Sequence, residues 1–293
     1  MSKDRKKGCL YGLAIGDALG AAVEFCPPGS FAPVVGYRGF GPHQLKAGQW
    51  TDDTSMALAL ADSIAYGWNT KDQLARYLNW FQSGAYSVNG ECFDIGCTTR
   101  NALYEFELNE QLISDNSEYG SGNGSIMRLA PIAIKYAGKL GYGDYLQESS
   151  RTTHASPQCV SGCLALGIVL EKLLSGKDKE TALAFEPQET VLLHPSVKMV
   201  AEGSYRNASY GIEGSGWVVK SLEASLWAFY KSDSFEEAVL KAVNLGDDAD
   251  TTGAVTGQLA GAFWGYSGIP QSLIDGLDRK DMIDKYLDPI LEE

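Results

Sequence analysis

Positive charge is scarce in this 293-residue chain: 24 lysines and arginines face 37 aspartates and glutamates, for a formal net charge of −13. That balance argues against nucleic acid or an anionic membrane as the main partner. Histidine is scarcer still, with three residues. No apolar run reaches the ~20 residues needed to span a bilayer. The start, Met1 to Lys7, is charged and leads into a glycine-punctuated segment rather than a signal-peptide core, so a cytoplasmic protein with no membrane partner is expected. The six cysteines, Cys9, Cys26, Cys92, Cys97, Cys159 and Cys163, form no CxxC pair and are too sparse for a disulfide framework. They are expected to be free thiols. Few segments alternate like strands, and no internal repeat, low-complexity tract or linker is found.

Apolar residues make up 44% of the chain, enough for a large core near the upper limit of one domain, and residues 1–293 are read as a single compact domain. Apolar positions recur at three- and four-residue spacing over 55–66, 71–81, 157–174, 216–230, 234–244 and 251–265, which predicts helices there. Several are rich in alanine and glycine, so neighbouring backbones can pack closely. Glycine clusters fall at 36–48, 84–96, 120–124 and 211–216, where loops are able to converge on a site. With so few basic side chains, an anionic ligand would have to be held by metal ions, backbone N–H groups and helix N-termini.

Two acidic clusters precede predicted helices. They are Trp50-Thr51-Asp52-Asp53-Thr54 and Gly246-Asp247-Asp248-Ala249-Asp250-Thr251-Thr252-Gly253. Either alone is explained by helix capping, since Ser, Thr and Asp satisfy free N–H groups and suit the dipole. Capping needs one or two acceptors, however, and the second cluster spends three aspartates and two threonines. Like charges packed this tightly call for a cation, and oxygen ligands without nearby His or Cys point to Mg²⁺, Mn²⁺ or Ca²⁺ rather than zinc. An EF-hand loop begun at Asp248 places Gly253 correctly but puts Leu259 where the bidentate Glu belongs, which argues against that motif. Two Asp/Thr groups distant in sequence can instead meet in space and hold two ions between them.

Six segments, in order, resemble the ADP-ribosylglycohydrolases, and within them the bacterial dinitrogenase-reductase-activating branch. They are GCLYGLAIGDALGAAVE (8–24), GQWTDDTSMALALAD (48–62), FDIGCTTR (93–100), GNGSIMRLAP (122–131), THAS (153–156) and NLGDDADTTGAVTGQLAGAFWG (244–265). The resemblance implies an all-α fold with a dinuclear metal cleft holding two divalent cations, Mg²⁺ or Mn²⁺. It assigns Thr51, Asp52, Asp53, Asp248, Asp250 and Thr251 as ligands, and leaves Asp247 to support a ligand or cap. Glu24 aligns with an acidic residue that acts near the scissile bond in some members, and Asp94 with an aspartate that positions or activates near the linkage. Without the resemblance, Glu24 reads as a surface or capping residue and Asp94 as a turn residue before Gly96.

Gly122, Asn123, Gly124 and Ser125 resemble a diphosphate cradle, because glycines let backbone N–H groups approach phosphate oxygens. His154 is read as substrate-binding, with a titrating and a structural role both open. Arg128 is expected to pair with phosphate or, by preference, with buried carboxylates near the metals, and an aromatic from 205–217 to stack on adenine. The implied reaction is hydrolysis of the bond between ADP-ribose and protein, with arginine as the favoured linkage. Alternatives are a serine-linked or small-molecule ADP-ribosyl substrate, a non-catalytic ADP-ribose-binding member, and a two-metal phosphohydrolase that attacks phosphorus instead.

Overall fold

The computed structural model describes residues 1–207 and 211–291. Fifteen α-helices and no strand occur among the described residues. The first seven are α1 (Lys3–Gly20), α2 (Asp52–Ala65), α3 (Thr70–Ser83), α4 (Cys97–Asn109), α5 (Ala130–Tyr136), α6 (Tyr142–Thr153) and α7 (Pro157–Leu174). Three short ones follow, α8 (Lys179–Leu183), α9 (Pro187–Thr190) and α10 (Pro195–Ala201), and then the longer α11 (Val218–Tyr230). The last are α12 (Phe235–Val243), α13 (Ala249–Trp264), α14 (Gln271–Gly276) and α15 (Lys280–Leu291). The all-α class read from the sequence is the class observed.

The six periodic segments are all helical, with ends shifted by at most three residues and none at α7. Local chemistry explains where several begin. Ser156 accepts a hydrogen bond from the Cys159 N–H at 3.2 Å, with Pro157 at the first helical position of α7. Ser234 does the same for Glu237 at the start of α12, where Glu236 and Glu237 lie in the first turn and Lys241 in the last. α7 is long and apolar enough to match a membrane span, yet 78% of it is buried inside the protein.

α1 escapes the periodicity argument. It carries glycine at every fourth position from Gly8 to Gly20, each costing about 1 kcal/mol of helix propensity, and it is buried on all sides from Gly8 onward. A helix without a polar face has no period to read. The glycines face α13, which presents Gly253, Gly257 and Gly261 at the same spacing. A Cβ on Gly12 would fall against the Gly257 carbonyl, one on Gly16 against that of Gly253, and one on Gly261 against that of Gly8. The two central helices therefore touch backbone to backbone. Near one end of the seam Gly20 lies against the Asp250 backbone, and Asp17, three residues earlier on α1, meets the start of α2.

Candidate active site

The two acidic clusters meet at the starts of α2 and α13. Thr51 and Asp248 occupy the positions just before these helices, and neither side chain caps its helix. The Thr51 hydroxyl instead lies 2.9 Å from Asp17 Oδ1, 3.0 Å from Asp53 Oδ2 and 3.2 Å from Asp250 Oδ2. One hydroxyl proton serves one acceptor at a time, so three carboxylates from three helices share a single donor. Thr251 closes the group, its hydroxyl 3.5 Å from Asp53 Oδ2. Asp53 Oδ1 is buried with no hydrogen-bond partner, an unmet acceptor that a cation would satisfy.

Asp17 anchors this floor. Its two oxygens accept from the backbone N–H and hydroxyl of both Thr51 and Thr54, at 2.6 to 3.0 Å. Full burial nonetheless pushes its carboxyl up to about 6, the four donors only partly countering that. Burial followed by neighbouring carboxylates, Asp94 and Asp17 foremost, drives Asp52 and Asp53 well above the carboxylate range. Asp250 is raised in the same way, by burial and then by Glu24 and Asp53, and Asp248 is raised by loss of water despite a 2.7 Å hydrogen bond from Asn123. Without a counter-ion these carboxylates resist ionisation. Asp17, Asp53 and Asp250 bring oxygens within 4.8 Å of one another, as do Glu24, Asp248 and Asp250. The donor set is oxygen throughout, so these clusters fit hard divalent cations.

Above the floor opens a cleft of about 820 Å³. Three of the four glycine clusters reach it: Asp94 and Gly96, Gly122 to Gly124, and Gly216 line it, while the 36–48 segment gives no lining residue and contributes only His43 behind Glu24 and Asp94. Asn123 N–H donates to Gly216 C=O at 3.0 Å. Asp52, Asp248 and Thr251 face the cleft, whereas Thr51, Asp53 and Asp250 lie beneath its lining. Ser125 is 2% exposed and is not part of the lining.

Glu24 and Asp94 stand together at the lip. His43 Nε2 lies 2.5 Å from Glu24 Oε2 and 3.4 Å from Asp94 Oδ2. Burial works against charge on His43, but hydrogen bonds to Asp94 and Glu24 prevail and push it up to about 10. Glu24 is itself raised to about 7 by burial, with the His43 hydrogen bond opposing and Asp94 adding to the rise. Asp94 sits in left-handed backbone at φ 61°, as do two other cleft residues, Phe25 at 60° and Asp247 at 51°. Asp247 holds Phe25 through backbone hydrogen bonds: its C=O accepts from Phe25 N–H at 2.7 Å, and its N–H donates to Cys26 C=O at 2.8 Å.

His154 lines the cleft beside the glycine loop. It is 3% exposed, its Nδ1 lies 2.8 Å from the Thr153 hydroxyl, and burial followed by the Arg128 charge lowers it to about 3. Its ring supports the glycine loop from below, and a Cβ on Gly124 would come 2.7 Å from His154 Cε1. Arg128 does not pair with the metal-site carboxylates. It lies fully buried over the Tyr77 ring at 4.6 Å and donates to the Thr153 hydroxyl at 2.7 Å, because its side chain passes under α2 to Met56 rather than toward the cleft. Of the aromatics proposed to stack, Tyr205 is fully buried, Trp217 is 40% exposed, and Tyr210 lies outside the described residues.

Two site residues were missed by the sequence reading. Asp17 stands in the quoted GDALG run, where an acid inside an apolar helix was itself the signal. His43 offered no signal, being one histidine in a long glycine-rich loop.

A model of the ADP-ribosylglycohydrolase family matches residues 1–293. An ADP-ribosylarginine hydrolase, Tri1 of Pseudomonas putida strain GB-1, is 44% identical over 96% of this chain and 76% of its own length. An ADP-ribosyl-[dinitrogen reductase] glycohydrolase of Rhodospirillum rubrum is 32% identical over 94% of this chain and 91% of its own. A solved structure titled ADP-ribosylglycohydrolase-related protein complex superposes with a TM-score of 0.88 at 39% identity, covering 98% of this chain and 97% of that one. By sequence, by fold and by the meeting of its two acidic clusters, the chain belongs to the ADP-ribosylglycohydrolase family.

Proposed function

We propose that this protein removes ADP-ribose from arginine side chains of modified proteins, with two divalent cations, Mg²⁺ or Mn²⁺, held by Thr51, Asp52, Asp53, Asp248, Asp250 and Thr251. The observation that carries the arginine linkage is the charge of the cleft: among the described residues its lining has five carboxylates and no lysine or arginine. Three of them, Glu24, Asp94 and Asp247, stand at the lip outside the proposed cation ligands, and such a lip suits a cationic guanidinium better than a neutral serine. The 44% identity to an ADP-ribosylarginine hydrolase supports the same choice.

Bound cations would supply charge to grip ribose hydroxyls and polarise a water. The chain's own residues do the rest. Gly122 and Gly124 offer backbone N–H groups to the diphosphate, Asn123 fixes the loop through its bonds to Gly216 and Asp248, and His154 supports it. Loss of the C1″–N bond expels a neutral guanidine and leaves positive character on the sugar carbon. A water forms the new C1″–O bond and gives its proton to Glu24 or Asp94, from which the strongly basic guanidine recovers it. His43 holds both carboxylates at the lip, and burial keeps Glu24 near neutrality, where a proton-transfer group works best. Residues 1–293 act as one domain in this reading. Six free cysteines favour a reducing compartment, the cytoplasm.

The test is release of ADP-ribose from arginine- and serine-ADP-ribosylated peptides in parallel, with EDTA, Mg²⁺ or Mn²⁺, read by mass spectrometry. Metal-dependent release of intact ADP-ribose from the arginine peptide is expected. Release from serine alone, or AMP with ribose phosphate as products, overturns the assignment.

A further inference from the structure

Phe25 is the largest apolar side chain facing the cleft, and 65% of it is exposed. A solitary exposed aromatic needs no explanation. This one is held in place at a cost. Its backbone is left-handed, a conformation worth roughly 1–3 kcal/mol of strain for a residue that is not glycine, and the strand of chain opposite repeats the strain at Asp247. Two backbone hydrogen bonds lock the pair, and the adjoining Gly246 admits no side chain, since a Cβ there would approach Cys26 C=O at 2.5 Å. Strain that the surroundings over-determine marks a position whose orientation matters.

That orientation sets an aromatic ring at an acidic lip. Glu24, Asp94 and Asp247 line the cleft with it, and His43, whose ring centroid is 6.2 Å from that of Phe25, is the cation in contact with this group. Three carboxylates against one imidazolium leave the lip negative, so a further cation is welcome there. The glycine and asparagine loop that also lines the cleft carries no charged side chain and suits an anion. A ligand with both an anionic and a cationic group therefore finds a surface for each, and its cationic group meets a flat ring edged by carboxylates.

We propose that Phe25 is a specificity-determining residue, its ring stacking on the guanidinium of the departing arginine while Asp94 and Asp247 accept that group's N–H bonds. Guanidinium is planar and weakly hydrated, and it both stacks on aromatic faces and pairs with carboxylates. A serine-linked substrate places nothing comparable at this lip. The inference rests on the arginine reading and adds the residue that selects it.

The experiment compares wild type with Phe25→Leu and Phe25→Tyr, using the full chain with Mg²⁺. Both substitutions are at an exposed ring and leave the core untouched. Phe25→Leu is expected to raise KM for the arginine-linked peptide about tenfold, within the span of cation–π contacts, with kcat changed far less. Binding of agmatine, followed by calorimetry in the presence of ADP-ribose, should weaken in parallel, while binding of ADP-ribose alone stays at the wild-type value. Phe25→Tyr, which keeps the ring, should recover most of the loss. An unchanged KM in Phe25→Leu, or equal weakening of ADP-ribose and agmatine, overturns the inference and leaves the arginine reading standing. Wild type that hydrolyses only serine-linked peptide sinks the arginine reading instead. The inference then falls too unless agmatine still binds in a Phe25-dependent way.

Discussion

The floor and the lip of the cleft are both acidic, yet they are built by opposite means. The floor, Asp17, Thr51, Asp53 and Asp250, hangs on three helices, and the α1–α13 seam permits no sliding because backbone meets backbone along it. The lip, Glu24, Phe25, Asp94 and Asp247, hangs on loops whose backbone is left-handed at three of these four residues. Floor carboxylates have hydroxyls and amides for company and no cation, whereas lip carboxylates have His43. The difference separates two tasks. A place for metal ions needs immovable oxygens left short of positive charge, and a place for proton transfer needs carboxylates near neutrality with room to exchange with substrate.

Breaking the seam should be the most damaging change. In Gly257→Leu the new Cβ meets the Gly12 carbonyl, and neither helix is able to retreat from a core packed on all sides. A loss of about 4 kcal/mol or more is expected, read as a collapse of the thermal midpoint or as insoluble protein. A midpoint within a few degrees of wild type would show that the seam yields.

Next comes the buried charge of the site, Asp17 in the floor and Glu24 at the lip. Asp17 and Glu24 are raised from 3.8 and 4.5 to about 6 and about 7. Groups raised on folding contribute stability that is full below their ordinary values and lost as pH rises through the folded ones. Metal-free protein should therefore melt lower at pH 8 than at pH 5, and Mg²⁺ should restore the midpoint at pH 8. At a hundredfold excess over Kd that restoration amounts to about 2.7 kcal/mol. Asp53→Asn should raise the midpoint in EDTA at pH 8, abolish the Mg²⁺ shift and abolish turnover. A Mg²⁺ shift of wild-type size in this variant places the cations elsewhere.

The lip should respond least in stability and selectively in rate. Glu24→Gln is expected to cost ~10²–10⁴-fold in single-turnover rate, the span of general acid–base catalysis. His43→Ala, which removes only the group holding the carboxylates, should cost less than Glu24→Gln, with the thermal midpoint nearly unchanged and His43→Gln recovering part of the loss. A larger effect from His43 than from Glu24 would reverse their roles.

How legible each region was follows from its construction. The amphipathic helices α3 and α12 and the buried α7 were read from spacing alone. Clustering flagged Asp52, Asp53, Asp248 and Asp250, because like charges at adjacent positions are costly enough to need a reason. Asp17 stayed hidden as a single acid in an apolar run, and α1 as a helix with no polar face. His43 and Phe25 stayed hidden because loop geometry has no period. Arg128 misled, since a buried arginine is expected to seek carboxylates and this one settles on a tyrosine ring and threonine hydroxyls.

The sequence by itself determined the helical class, the oxygen-rich acidic clusters and, through six ordered motifs, the family, because periodicity, charge density and motif order are properties of the chain read in one dimension. Only the tertiary structure decided that Asp17 joins the floor, that His43 bridges Glu24 to Asp94, and that Thr51 and Asp248 turn away from capping. Those outcomes depend on which helix ends and loops meet across the glycine seam, and that is settled by steric fit between segments more than two hundred residues apart.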